Sequence, residues 1–191
     1  MALPAAFRFA VAAAIAGAAL GGQAHAAAYN TVDTQASHLK FGYSQMNVPM
    51  EGDLKSLNVP VFSFDPAAPE TAKVVIEVPL SGVDSGNDEA NAELKKPEWL
   101  NIGATPVAQF QSSAVTATGQ NTFTVTGALT IKGKTKEVQI PFTVTPQGDK
   151  AAFEGSFTFP RADFGIGEGP WGDFSIVAND IRVTFHVVAA Q

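Results

Sequence analysis

The residues of this chain best equipped for chemistry are few and scattered. Arg161 stands out because it continues the parity of Phe153, Phe157 and Phe159, which places five N–H donors where apolar side chains are expected. Two readings stay open. Either the strand ends at Pro160 and Arg161 faces water or pairs with Asp163, or it sits at the rim of the interior and anchors a polar group or clamps a loop. Gly165, Gly167 and Gly169 follow, ahead of Pro170-Trp171-Gly172. That spacing suits a lid or a tight turn, and not a phosphate loop, since no strand–turn–helix context follows. His38 and His186 fall on the polar parity of their segments, so outward positions are expected; a metal site would need more ligands to converge. Asp84, Asp88, Glu89 and Glu93 share one polar segment and read as a solvated set favourable at a helix N-terminus, not as a catalytic acid pair. Neither G-x-S-x-G nor H-E-x-x-H occurs, and there is no cysteine. Thiolate nucleophiles, disulfides and thiolate-held zinc or iron–sulfur centres are therefore excluded. No metal, no required cofactor and no enzymatic activity are expected.

The elements that must position these residues are mostly strands. Ile181-Arg182-Val183-Thr184-Phe185-His186-Val187 alternates strictly between apolar and polar, and period two places alternate side chains on one face of a strand. Phe153, Gly155, Phe157 and Phe159 form a second such face. Val138, Ile140, Phe142 and Val144 form a third, Val74, Ile76, Val78 and Leu80 a fourth, and Leu39, Phe41 and Tyr43 a fifth. Phe123, Val125, Leu129 and Ile131 share one parity across Gly127, where a bend or bulge is expected. Lys132-Gly133-Lys134-Thr135 reads as a hairpin loop. Less regular strands fall near 54–64 and 107–115. The total is about eight strands with one apolar and one polar face, which suits an antiparallel sheet closed as a barrel or stacked as a sandwich. Asn87 to Glu98 breaks the pattern, with Ala90 and Leu94 at i, i+4, a cap at Ser85 or Asn87 and a stop at Pro97; a short inserted helix is expected.

The first residues read differently. Arg8 precedes an apolar run from Phe9 to Leu20 and then Ala24-His25-Ala26, the three-part layout of a secretory signal peptide cleaved after Ala26. The run is about 12 residues, short of the roughly 20 that a spanning helix needs. Residues 1–26 are thus expected to be removed, leaving one domain over 27–191, exported and not integral to the membrane. Losing Arg8 takes the net charge from −6 to −7. An acidic chain without a basic stripe is no nucleic-acid binder.

Taken together, the ordered motifs resemble the YceI-like family of lipocalin-like, polyisoprenoid-binding periplasmic proteins. The matching blocks are Tyr29-Asn30-Thr31-Val32-Asp33, Ser37-His38-Leu39-Lys40-Phe41, Val48-Pro49-Met50-Glu51-Gly52, Phe62-Ser63-Phe64-Asp65-Pro66, Glu98-Trp99-Leu100, Thr105 to Ser112, Thr126 to Lys136, and Arg161-Ala162-Asp163-Phe164-Gly165-Ile166-Gly167 followed by Trp171. Leu54 stands where members often carry Phe, and Met46-Asn47 where some carry His, which marks a subfamily. The resemblance implies an extended eight-stranded antiparallel lipocalin-like barrel with a short helix, in the periplasm, holding a polyisoprenoid or the tail of an isoprenoid quinone. It also implies that some relatives work beside a membrane-bound b-type cytochrome. A homodimer is left open.

From the residues alone, such a barrel either fills with side chains or holds one small ligand. Fourteen Phe against two Tyr supply the apolar wall in either case. With the resemblance, the expected lining is Phe41, Tyr43, Phe64, Ile76, Val78, Trp99, Phe110, Phe123, Val125, Leu129, Phe142, Phe153, Phe157, Phe159, Arg161, Phe164, Trp171, Val183 and Phe185. Three functions compete: a carrier, an interaction protein using the barrel as a scaffold, and an enzyme acting on the ligand.

Overall fold

The computed structural model describes residues 28–191; the expected signal peptide lies outside the described residues. Ten strands form one antiparallel sheet in the order β3-β4-β6-β7-β8-β9-β10-β1-β2-β5. They are β1 (Thr31–Gln45), β2 (Val48–Leu54), β3 (Asn58–Ser63), β4 (Lys73–Pro79), β5 (Val83–Asp84), β6 (Val107–Gly119), β7 (Thr122–Ile131), β8 (Lys134–Gln147), β9 (Lys150–Pro160) and β10 (Asp180–Ala190). The sheet curls on itself. At one end its seam is bonded: the Tyr29 and Phe64 backbones exchange N–H to carbonyl bonds of 2.8 and 2.9 Å.

The expected count of eight strands is corrected to ten. The stretch read as one strand near 54–64 is interrupted at residues 55–57, dividing the end of β2 from β3, and the two-residue β5 is too short to show a period. Pro49 argues against a central strand, yet it lies on the part of β2 that no strand flanks on the far side, since β5 reaches only Asp53 and Leu54. The turn joining β1 to β2 is equally hard to read. Met46 (φ 49°) and Asn47 (φ 64°) are both left-handed, the two-residue geometry that matches strand twist, but methionine carries no turn signal. Lys132 (φ 51°) and Gly133 (φ 72°) make the same turn. The loop expected over 132–135 is therefore shorter, because Lys134 and Thr135 already pair with Ile131 and Thr130.

The bend expected at Gly127 takes the form of a register shift on the opposite strand, between Ser112 and Ala114 of β6. The helix is shorter than its polar stretch: α1 spans Asp88–Leu94, and the Asn87 side chain caps it by accepting from the Ala90 N–H. Among the described residues no helix is long and apolar enough to cross a membrane.

Inside the curl, the bonded end is packed solid. Phe64 meets Phe123, Phe153 and Phe142 edge-on at 5.0, 5.3 and 5.9 Å, and Tyr29 meets Phe153 at 5.7 Å. Such aromatic pairs add about 0.5–1.5 kcal/mol each beyond area burial. The opposite end is covered by α1 and by two tight turns, Arg161–Phe164 and Gly169–Gly172.

An apolar cavity behind a loop clamped by Arg161

Between the aromatic plug and the covered end lies a cavity of about 700 Å³, within the ~300–1,000 Å³ usual for a ligand pocket. Its wall follows from strand parity. On β10, Ile181, Val183 and Phe185 point inward and line the cavity, while Arg182, Thr184 and His186 line a groove on the outer face. The inward residues Phe41, Tyr43, Ile76, Phe157, Val183 and Phe185 are only half-buried. A filled interior would bury them fully; part of each borders the cavity.

Of the residues expected to line the interior, all but Phe123, Arg161 and Phe164 do so. Phe123 is buried in the aromatic plug and Phe164 packs edge-on against Phe159 at 5.2 Å. Sequence reading missed Leu39, Met50, Leu54 and the contribution of α1 through Ala90, Glu93 and Leu94. The alternation Leu39-Lys40-Phe41 signalled the first of these; nothing in the polar stretch 87–94 announced a cavity wall. The exposed lining residues are Asn87 and Glu89, so the mouth opens beside the start of α1.

Three lining phenylalanines lie flat against glycines of neighbouring strands, Phe41 on Gly52, Phe110 on Gly127 and Phe185 on Gly155. A Cβ at Gly155 would come 2.4 Å from the Pro141 carbonyl oxygen and 2.6 Å from Phe185 Cζ. Gly155→Ala is therefore expected to force β8 from β9 and push the Phe185 ring into the cavity. The expected loss is about 1–3 kcal/mol of stability, seen as a lowered midpoint in urea unfolding.

Arg161 neither faces water nor lines the cavity. It is fully buried, and each of its five N–H groups donates to a backbone carbonyl. Nε donates to Ala178 (3.0 Å), Nη1 to Ile166 (2.7 Å) and Gly167 (3.0 Å), and Nη2 to Trp171 (2.7 Å) and Val177 (2.8 Å). Its guanidinium carbon also lies 5.5 Å from the Trp99 ring centre and 5.1 Å from that of Phe174. Burial lowers its pKa, but a guanidinium keeps its proton inside proteins. Of the roles left open, the structure therefore places Arg161 as a loop clamp, and no ion pair with Asp163 is among its contacts. Gly167 is the matching piece: its φ of 74° and a distance of 2.2 Å from any Cβ to Arg161 Nη1 leave room for glycine alone. The stretch 165–172 is thus a set of tight turns. It presents Ile166 and Trp171 to the cavity.

The mouth is held by polar contacts. Asn91 accepts from the Ser85 N–H at 2.7 Å and donates to Asp84 at 2.9 Å, and Lys55 pairs with Asp84. Lys55, Asn91 and the Gly86 N–H hold the Asp84 carboxyl well below its ordinary pKa. Glu93 accepts from Trp171 Nε1 at 3.2 Å and pairs with Lys96 at 2.5 Å. Trp99 Nε1 is buried without a hydrogen-bond partner, alone in this respect among the described residues. His38 and His186 stack at 4.8 Å on the outer face, and His186 contacts Glu154 at 2.8 Å. Among the described residues no group of three or more His, Asp or Glu side chains is placed to hold a metal.

The comparisons with known proteins agree with this architecture. BcnA of Burkholderia cenocepacia superposes with a TM-score of 0.80 at 36% identity, covering 83% of this chain and 99% of that one. A polyisoprenoid-binding domain from Saccharophagus degradans, implicated in plant cell wall breakdown, shares the fold at a TM-score of 0.67 and 15% identity over 85% and 98% of the two chains. A UPF0312 protein of Ectopseudomonas mendocina is 35% identical over 82% of this chain and 86% of its own. One from Azotobacter vinelandii is 38% identical over 55% of this chain, an alignment spanning 58% of that relative's length. The domain described as YceI-like matches residues 30–189, and the chain belongs to that family.

Proposed function

We propose that this protein is an exported, periplasmic carrier that holds one isoprenoid chain, either a polyprenyl lipid or the tail of an isoprenoid quinone, without acting on it chemically. The observation that carries this reading is the cavity: about 700 Å³, walled by strands and closed by aromatic rings at one end. Among the described residues its only charged lining side chains are Glu89 and Glu93. The layout of residues 1–26 supports export, and the S. degradans domain of the same fold is polyisoprenoid-binding by name.

Burying an isoprene unit is worth up to ~3–4 kcal/mol at ~0.8 kcal/mol per CH₂. Eight units would sum to more than ~25 kcal/mol, beyond the practical ceiling of about 18–21, so ordering the chain must offset much of that gain. The bilayer is the ligand's other home. Exchange with a membrane-bound partner, such as a b-type cytochrome, belongs to this reading.

The test is a titration of delipidated protein with an isoprenoid quinone. Trp99 and Trp171 both line the cavity, so saturable quenching of their fluorescence at one equivalent is expected. No quenching by the quinone, and no stoichiometric retention of a polyprenol by the protein, would favour the reading in which the barrel serves as a scaffold for protein contacts.

A further inference from the structure

The charge around the cavity limits what the end of the ligand can be. Among the described residues its lining contains no lysine, arginine or histidine. The nearest buried cation, Arg161, has spent all five donors on backbone carbonyls. Lys132, beside the same loop, donates to the Gly165 carbonyl and pairs with Glu168. Lys55 is held by Asp84 and Lys96 by Glu93. What the mouth presents instead is the Glu89 carboxylate, exposed and outside the ion pairs found among the described residues; Glu93, also in the lining, is paired with Lys96.

A prenyl phosphate or diphosphate would bring two or more negative charges to this opening. Phosphate recognition rests on free Arg, Lys or a run of backbone N–H groups, and the lining offers no such cation. A neutral oxygen finds better company. Tyr43 lines the cavity with a phenol whose pKa burial raises, so it stays a donor, and Trp99 holds a buried N–H with no partner. A buried donor left unmet costs about 1–3 kcal/mol, so a ligand oxygen reaching either group would be favoured.

We propose that the cavity selects isoprenoids with an uncharged, oxygen-bearing end group, a carbonyl or a hydroxyl, and rejects prenyl phosphates of the same chain length, with Glu89 as the main excluding group. This rests on the carrier reading above, and the experiment separates the two.

The purified, delipidated protein is titrated with geranylgeraniol, with an isoprenoid quinone of similar chain length, and with geranylgeranyl diphosphate, each below its micelle concentration. The alcohol and the quinone are expected to bind alike, and the diphosphate at least tenfold more weakly. Glu89→Gln is expected to narrow that gap several-fold, Glu89→Lys to narrow it further, and 0.5 M salt to shrink it in the unaltered protein. Each gap is read as a ratio within one protein, so any change in the alcohol's own affinity is divided out. A diphosphate that binds as tightly as the alcohol, or a gap indifferent to both Glu89 substitutions and to salt, overturns the proposal and leaves the carrier reading standing. If none of the three binds, the carrier reading itself fails.

Discussion

Arg161→Met is expected to lower the free energy of unfolding by about 4–5 kcal/mol or more, the size reserved for loss of a buried network. The side chain is fully buried and gathers five carbonyls from Ile166, Gly167, Trp171, Val177 and Ala178. Each charge-assisted bond of this kind is worth about 1.5–3 kcal/mol, and an abandoned buried acceptor costs about 1–3. The total is capped because the loop can open and let water in. Arg161→Lys should recover only part of the loss, since an ammonium has three donors and no planar fork. Urea unfolding of the three proteins measures the series. Opening of the loop should also free Trp171, so its emission should shift to the red in the folded variants. A loss below about 1 kcal/mol for the methionine variant would mean that the turns over 161–178 are held by their own backbone bonds.

The second large effect concerns the cavity itself. Val183→Glu is expected to weaken binding of an isoprenoid quinone by about 100-fold or more while leaving the fold intact. Val183 is half-buried: part of it packs against the core and part borders the cavity. In the empty protein the carboxylate therefore keeps contact with water. A ligand chain lying against it would strip that water, and burying an unpaired charge costs several kcal/mol; about 2.7 kcal/mol already equals a factor of 100. Val183→Leu is the companion variant: it keeps the wall apolar and should bind within a few-fold of the unaltered protein. Near-UV circular dichroism establishes that the glutamate variant is folded.

How much of this was legible beforehand depends on the kind of interaction. Strand parity placed the wall of β10 side chain by side chain, because a residue's face in a regular strand depends only on its position. The same reasoning counted too few strands, since β2 contains Pro49, which argues against a strand, and begins at a turn whose first residue, Met46, carries no turn signal. Parity also put Arg161 on the inward side, but the strand ends at Pro160, and a side chain in the turn that follows is aimed by that turn. Its role depends on five carbonyls from two loops that approach in space, which periodicity cannot represent. Phe123 has the parity of a cavity residue and Phe164 lies in the turn after Pro160, and both are packed among other rings; whether an inward phenylalanine meets space or a neighbour is decided by how the two ends of the curl close. The mouth was the least visible part. Asn87, Glu89 and Glu93 lie in a polar stretch that any solvated helix would show, and only the way α1 lies across the open end turns them into lining residues.

The measurement that tests the central claim most directly is mass spectrometry of an organic-solvent extract of the protein purified after expression from its full-length sequence. The account predicts one isoprenoid species at close to one equivalent per chain, with an uncharged end group. An extract without any apolar chain, from protein whose cavity also fails to take up added quinone, would contradict it.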